Sequence, residues 1–134
     1  MKIYSTLIIL ALTAILIGTS CTKETSSIIP NSGRTIKFIL YTKQDFSNDN
    51  HNITFSLFIR NHTRDLFDSA LSSMKIKDIP DSMHKLIFEK KVPNDDGSDL
   101  AAGFNYTIEN VGISWYIDTC AAGQTFKVVD FSFQ

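Results

Sequence analysis

Short runs in which every second residue is apolar constrain this chain more than any other feature. The clearest run covers residues 53–59, where apolar side chains occupy the odd positions and Phe58 alone breaks the alternation. Because successive side chains of a β-strand point to opposite faces, this spacing is typical of a strand with one buried face. The sequence therefore predicts a sheet protein whose core is lined by alternate residues.

Similar runs recur through residues 34–134, separated by turn-forming segments such as Ser47-Asn48-Asp49-Asn50 and Asn110-Val111-Gly112. After residue 33 no segment of helical length has a 3.6-residue period, and residues 69–75 are the one place where we expect a helical turn. Seven or eight short strands on this spacing are typical of an all-β fold. We predict an antiparallel β-sandwich, immunoglobulin-like or transthyretin-like, over residues 34–134.

Three of the expected strands lie in the middle of the chain. One spans residues 65–71, and a second contains Met74, Ile76 and Ile79 and is stopped by Pro80. The third spans Lys85–Val92, with Leu86 and Phe88 facing inward.

The last strand has apolar residues at both parities. Phe126 and Val128 share one parity, whereas Val129, Phe131 and Phe133 share the other. A change of parity within one strand predicts a β-bulge, which we expect near Val128.

Trp115 and Tyr116 are the aromatic residues whose exposure matters most for function. Trp115 shares its parity with Ile113 and Ile117, so we expect it to fill the core, and Tyr116 to face solvent. Sugar rings stack their C–H faces on exposed aromatic rings, which makes Tyr116 our candidate for ligand contact.

The first twenty residues are typical of a signal peptide. Lys2 precedes an apolar run from Leu7 to Ile17, and the small residues Gly18, Thr19 and Ser20 lead to Cys21. The run is shorter than the roughly 20 apolar residues that span a bilayer. We expect residues 1–20 to form a signal-peptide helix that is removed, the alternatives being a plain secretory signal with an unmodified Cys21 or an uncleaved anchor.

A signal peptide that ends in small residues before a cysteine resembles the bacterial lipoprotein signal, in the looser form found in Bacteroidota. Gly18 stands where the stricter pattern has Leu, and Thr22-Lys23-Glu24 partly matches the acidic segment of surface-exported members. The resemblance implies that Cys21 becomes the first residue and carries the acyl chains, palmitate among them. It places the protein in the cell envelope, as an outer-membrane lipoprotein facing either the surface or the periplasm. The rest of the chain is generally similar to small uncharacterised lipoproteins of that group.

Residues 21–33 are expected to form the lipidated cysteine and a flexible tether, since polar residues, Pro30 and Gly33 dominate them. Without Lys2 the chain has 12 basic and 14 acidic residues, a net charge of −2. This field is too weak to steer a charged partner, and it argues against nucleic-acid binding.

The second cysteine, Cys120, has no partner if Cys21 is acylated. Its neighbours in the chain offer no cation that would lower its pKa, so we expect a small buried side chain at the end of a strand.

Candidates for catalysis and metal binding are weak. His51, His62 and His84 have no metal-ligand spacing and lie in no catalytic signature. The loop with Asp95, Asp96 and Asp99 around Gly97 could present oxygens to Ca²⁺, but the EF-hand spacing is missing and a solvated Asp-Gly turn is the favoured interpretation. Asp45, Asp49 and Asp95 would converge only if two loops met at one end of the sandwich. We predict no catalytic residue, metal or cofactor.

Two serines are candidate modification sites. Asp68-Ser69-Ala70 and Asp81-Ser82-Met83 resemble the motif at which Bacteroidota O-glycosylate exported proteins. The alternative is that Asp68 and Asp81 begin Asx turns.

The sequence leads to one main functional hypothesis and two alternatives. We expect a non-enzymatic envelope lipoprotein that binds a glycan or an envelope protein through its β-sandwich. A structural accessory subunit of an envelope complex is the first alternative, and a small hydrolase is the second. Exposed aromatics near Tyr116 would favour the glycan, whereas a contiguous apolar patch would favour protein docking.

Overall fold

A computed structural model of the chain describes residues 33–134 and shows the β-sandwich predicted from the alternation. Residues 1–32, which contain the expected signal peptide, Cys21 and most of the tether, lie outside the described residues. Eight strands and one 3₁₀ turn make up the fold: β1 Thr35–Thr42, β2 Asn52–Arg60, β3 Asp65–Ala70, β4 Met74–Lys75, the turn Ile76–Asp78, β5 Leu86–Lys91, β6 Leu100–Ile108, β7 Gly112–Cys120 and β8 Phe126–Phe133.

The strands form two sheets that pack face to face. One sheet has the order β5-β1-β8; the other has the order β3-β2-β6-β7, with β4 also paired to β2. All pairs are antiparallel except β1 with β8, which run parallel. The first and last strands of the sandwich therefore lie side by side, a pairing that the run-by-run alternation did not predict.

The core lies between the sheets and is rich in phenylalanine. Phe38 of β1 meets Phe104 of β6 edge to face, with ring centroids 5.7 Å apart. Phe104 also lies 5.4 Å from Phe131 of β8. Aromatic rings in such geometries contribute more than their buried area alone. These rings join the two sheets.

Strand β2 confirms the clearest run in the sequence. Ile53, Phe55, Leu57 and Ile59 are all buried against the core. Phe58, which breaks the alternation, is also buried, although it points to the outer face. It lies opposite Gly103, and the Arg60 guanidinium lies 5.0 Å from its ring. Phe58 is therefore buried on the outer face because Gly103 leaves room beside it and Arg60 covers its ring.

The middle strands agree with their predicted positions, with one change. β3 and β5 lie within the expected spans, and Leu86 and Phe88 pack against the core. The strand expected through Met74, Ile76 and Ile79 is cut to two residues, because the chain turns into the 3₁₀ segment at Ile76. The helical turn thus lies just after the segment in which it was expected.

The predicted bulge near Val128 is wrong. β8 pairs with β1 in an unbroken register from Phe126 to Phe133. Phe126 and Val128 are 51% and 38% exposed on the outer face, whereas Val129 is fully buried. The strand has apolar residues on both faces, and a shift of register is found instead between Ile59 and Arg60 in the β2–β3 pair.

Candidate binding surface

The inward and outward faces of β7 are the reverse of those predicted. Trp115 is 65% exposed, and Tyr116 is half-buried with its ring stacked on Phe131, the centroids 4.9 Å apart at 17°. The reason is the register of the β6–β7 hairpin, which places Tyr116 opposite Phe104. Paired residues in antiparallel strands point to the same side of the sheet. Because Phe104 is buried, Tyr116 also points toward the core. Tyr116 is therefore a core-packing residue, and Trp115 is the exposed aromatic.

Trp115 lies at the centre of an apolar row on the outer face of β7. Ile113 is 71% exposed and Ile117 is 41% exposed, so the three side chains are exposed together. We call Ile113, Trp115 and Ile117 the β7 stripe. Single exposed apolar residues are ordinary, but a contiguous exposed row with a tryptophan at its centre is typical of a binding surface.

The residues beside the β7 stripe on β6 are small or polar. Asn105 lies opposite Trp115, and Thr107 lies opposite Ile113; both are exposed. Ser56 of β2 continues the same row beyond Asn105. The stripe is therefore bordered on one side by groups that can donate and accept hydrogen bonds.

Gly103 fixes the position of β7 against β6. A Cβ at Gly103 would overlap the backbone carbonyl oxygen of Tyr116. Backbone atoms cannot move aside as a flexible side chain can, so this contact requires glycine. The close approach at Gly103 therefore fixes the position of β7, the strand that carries the β7 stripe, against β6.

β7 lies at the edge of its sheet. Within residues 33–134 it pairs with β6 and with no other strand. The one charged residue of β7, Asp118, points inward. Its carboxylate forms an ion pair with the Lys127 ammonium of β8, with Nζ and Oδ2 2.8 Å apart. Burial raises the pKa of Asp118, but hydrogen bonds from Lys127 and the Thr119 N–H outweigh it and lower the pKa overall. The outer face of β7 therefore carries no charge.

A second candidate region is an open polar cleft of about 700 Å³ at one end of the sandwich. Its lining includes three carboxylates, His51 and three asparagines: Asp45, Phe46, Asn48, Asp49, Asn50, His51, Glu109 and Asn110. His51 Nδ1 lies 2.7 Å from Asp49 Oδ1, and Glu109 accepts a hydrogen bond from Asn52. Backbone N–H groups of Ser47 and His51 lower the pKa of Asp45 and Asp49. The lining holds a paired histidine but no serine or cysteine that could act as a nucleophile.

The carboxylates of the loop considered as a calcium site have separate partners. Asp95 is buried and pairs with the Arg34 guanidinium, with Nε to Oδ2 at 2.7 Å. Asp96 accepts from Ser98, and Asp99 accepts from the Ala122 N–H at 2.6 Å. Among residues 33–134, no group of three or more His, Cys, Asp or Glu side chains is arranged to hold a metal ion.

The three acids Asp45, Asp49 and Asp95 do not meet. Asp95 binds Arg34 before β1, whereas Asp45 and Asp49 follow the end of that eight-residue strand. The two loops therefore lie at opposite ends of the sandwich.

Cys120 is fully buried at the end of β7, as expected. Burial raises the pKa of its thiol, although the Arg34 guanidinium acts in the opposite direction. This arginine is a nearby cation that the neighbouring sequence did not reveal. Because burial dominates, the thiol stays protonated near neutral pH.

The two candidate O-glycosylation sites differ in exposure. Ser82 is exposed in the loop before β5, where Asp81 accepts hydrogen bonds from the Met83 and His84 N–H groups and begins the Asx turn that was the alternative interpretation. Ser69 is half-buried within β3, opposite the inward Leu57. Asp68 lies inside that strand and begins no turn. Ser82 is the more accessible of the two.

Comparison with protein-family models, curated proteins and solved structures gives no match for this chain. In the part of the chain that the structure describes, no helix is long and apolar enough to cross a membrane.

Proposed function

We propose that the chain is a non-enzymatic, membrane-anchored lipoprotein of the cell envelope that binds another envelope protein through the β7 stripe. The observation that carries the proposal is the exposure of Trp115 between two exposed isoleucines on an edge strand. Covering apolar surface contributes about 25 cal/mol per Å² removed from water, and tryptophan is enriched among residues that dominate protein interfaces.

The proposal gives separate roles to the two ends of the chain. Acyl chains on Cys21 would hold the protein at the membrane, because each buried methylene contributes about 0.8 kcal/mol and two or three chains give a stable anchor. Residues 22–33 would give the sandwich freedom to reach its partner.

The anchor is tested by a Cys21→Ser variant of the full chain. We expect it to move from the membrane fraction to the soluble fraction of broken cells. Persistence of the variant in the membrane fraction would contradict the lipid anchor. Protease digestion of intact and lysed cells then shows which membrane face carries the domain.

The docking surface is tested by placing a photo-crosslinking amino acid at Asn105, beside the β7 stripe. We expect a discrete cross-linked adduct in intact cells that a Trp115→Ser change abolishes. Ile87→Ser is the matched control, since Ile87 is 53% exposed on the other sheet. An adduct that survives Trp115→Ser, or that Ile87→Ser removes equally, would overturn the assignment.

A glycan is the second candidate partner, favoured by the polar groups beside Trp115. A sugar ring stacked on the indole would find the Asn105 amide and the Thr107 hydroxyl within the same face. The two partners differ in which variant removes binding. Asn105→Ala should abolish glycan binding on an array, whereas Ile113→Ser should weaken protein docking and leave glycan binding in place.

A further inference from the structure

The β7 stripe is symmetric about its central residue. Isoleucines stand two positions before and two positions after Trp115, and all three side chains lie on the outer face of an edge strand. When two copies of such a strand run antiparallel about a twofold axis at Trp115, each apolar side chain meets an apolar side chain. A self-complementary patch of this kind is what an isologous interface requires.

We propose that the partner of the β7 stripe is a second copy of this chain, paired along β7 with the twofold axis at Trp115. The inference rests on the proposed function, since it takes the β7 stripe as the interface. The two five-stranded sheets then join into one continuous sheet. Trp115 lies beside the partner copy's tryptophan, and Ile113 of each copy lies beside Ile117 of the other.

The register follows from the side chains on β7. A shift by one residue would bring side chains of opposite faces together, which a sheet does not allow. A symmetric pairing centred on Tyr116 would set Ile113 against Thr119, and one centred on Ser114 would set Ile117 against Val111, outside the strand. The pairing centred on Trp115 keeps all three apolar contacts within β7.

The charges also suit this register. Asp118 would lie opposite Gly112 of the other copy, so no two carboxylates meet across the axis. Its own ion pair with Lys127 stays within one copy. Like charges directly opposite one another destabilise paired strands, and none arise here.

The other edge strands carry the charges that prevent such pairing. On their outward faces β3 carries Asp68, β5 carries Glu89 and Lys91, and β8 carries Asp130. Charged residues on an edge strand oppose pairing with another chain, and the outer face of β7 is without them. A second copy is therefore directed to β7 and away from the other edges.

The test is disulfide cross-linking of the full-length chain in membranes. Two tagged copies are expressed together, one with Ile113→Cys and one with Ile117→Cys, so that Trp115 is kept. Side chains directly opposite each other have Cβ atoms about 4.5–5.5 Å apart, close to disulfide distance. Two copies of the same variant would place their cysteines about 13 Å apart, which a disulfide cannot span.

We expect mild oxidation to give a reducible heterodimer of the two variants, several-fold above the homodimer of either one. Thr107→Cys is the matched control, because Thr107 is also exposed but lies one strand away from the edge. The unsubstituted chain sets the background from Cys21, and Cys120 is fully buried. Heterodimer no greater than in these controls would overturn the self-pairing.

The same samples separate this inference from the proposed function. If the Asn105 adduct depends on Trp115 and has the mass of the chain with a different protein, docking stands and self-pairing is overturned. If the adduct has the mass of two copies and the two cysteine variants cross-link, both stand. If neither an adduct nor a cross-link forms, both fail.

Discussion

Strands β5 and β7 each form the edge of a sheet, yet their outward side chains differ in kind. β5 presents Ile87, Glu89 and Lys91, and the Glu89 carboxylate lies 3.5 Å from the Lys37 ammonium of β1. β7 presents the three apolar residues of its stripe and the uncharged Thr119. An edge strand offers unpaired backbone groups to any other chain, and charged side chains keep others away. From this contrast we infer that the β5 edge is closed to partners and the β7 edge is open to one.

The attachment of β7 to β6 is the first place to test this contrast, and we expect the largest effect there. Gly103→Ala would force the new Cβ into the Tyr116 carbonyl oxygen and push the two strands apart. We expect a loss of about 3 kcal/mol or more in the free energy of unfolding, measured by denaturant titration.

Gly33→Ala is the control on the β5 side. Its Cβ would meet the Lys91 side chain, with Cε at 2.9 Å, and that chain can move aside. We expect a change within about 0.5 kcal/mol. Equal losses for both glycines would show that the close approach at Gly103 is not special.

The Arg34–Asp95 pair comes next in expected size, because it joins the start of β1 to the loop between β5 and β6. Arg34 Nε donates to Asp95, and Arg34 Nη1 donates to the Ala121 carbonyl at 3.5 Å. Asp95→Asn would leave the buried guanidinium without its counter-charge. We expect a loss of about 3 kcal/mol at pH 7, measured by denaturant titration.

The same pair predicts how stability depends on pH. The Arg34 hydrogen bond lowers the pKa of Asp95 below its ordinary value. The stabilisation is therefore fully present above the unfolded pKa of about 3.9 and is lost as pH falls through the lower folded pKa. Asp95→Asn should flatten this acid dependence. An unchanged acid-unfolding curve in the variant would contradict the assignment.

A smaller effect is expected at the ion pair that links β7 to β8. Lys127→Met removes the partner of Asp118 and should cost about 0.5–1 kcal/mol, since both side chains are partly exposed. The pKa of Asp118 should rise, because only the Thr119 N–H hydrogen bond then opposes the effect of burial. Titration of Asp118 by NMR measures this, and an unchanged pKa would show that Lys127 does not hold the carboxylate.

The alternation predicted the fold class because burial on one face leaves a period of two wherever only one face is apolar. β2 and β5 come close to that condition, with Phe58 and Ile87 as their single outward apolar residues, and their inward residues agree with prediction. β7 and β8 have apolar residues on both faces, so alternation alone could not decide which face was buried. On β8 the apolar residues of the outward face led us to expect a bulge. On β7 the apolar residues of the outward face led us to predict that this face was buried.

The register of the β6–β7 hairpin would have corrected the predicted inward and outward faces of β7. The turn at residues 109–111 joins β6 to β7, and counting outward from it places Tyr116 opposite Phe104. Contacts between residues far apart in the sequence had no such local signal. Arg34 and Asp95 are 61 residues apart, and no sequence pattern near either residue predicts that they pair. The sequence could thus name the strands, whereas pairing across the fold decided which side chains form the surface.

The smallest expected change in stability is at Trp115, and it bears most directly on the comparison of the two edges. Trp115→Ser should change the free energy of unfolding by no more than about 0.5 kcal/mol, because the indole is 65% exposed. A buried tryptophan truncated in this way would cost about 3–5 kcal/mol, so denaturant titration separates the two placements. Ile87→Ser on β5 should be equally mild. Only the Trp115 variant should lose cross-linking to a partner, because Ile87 lies among charges on a closed edge and Trp115 lies among apolar residues on an open one. Loss of the partner with both variants, or with neither, would remove the distinction between the edges.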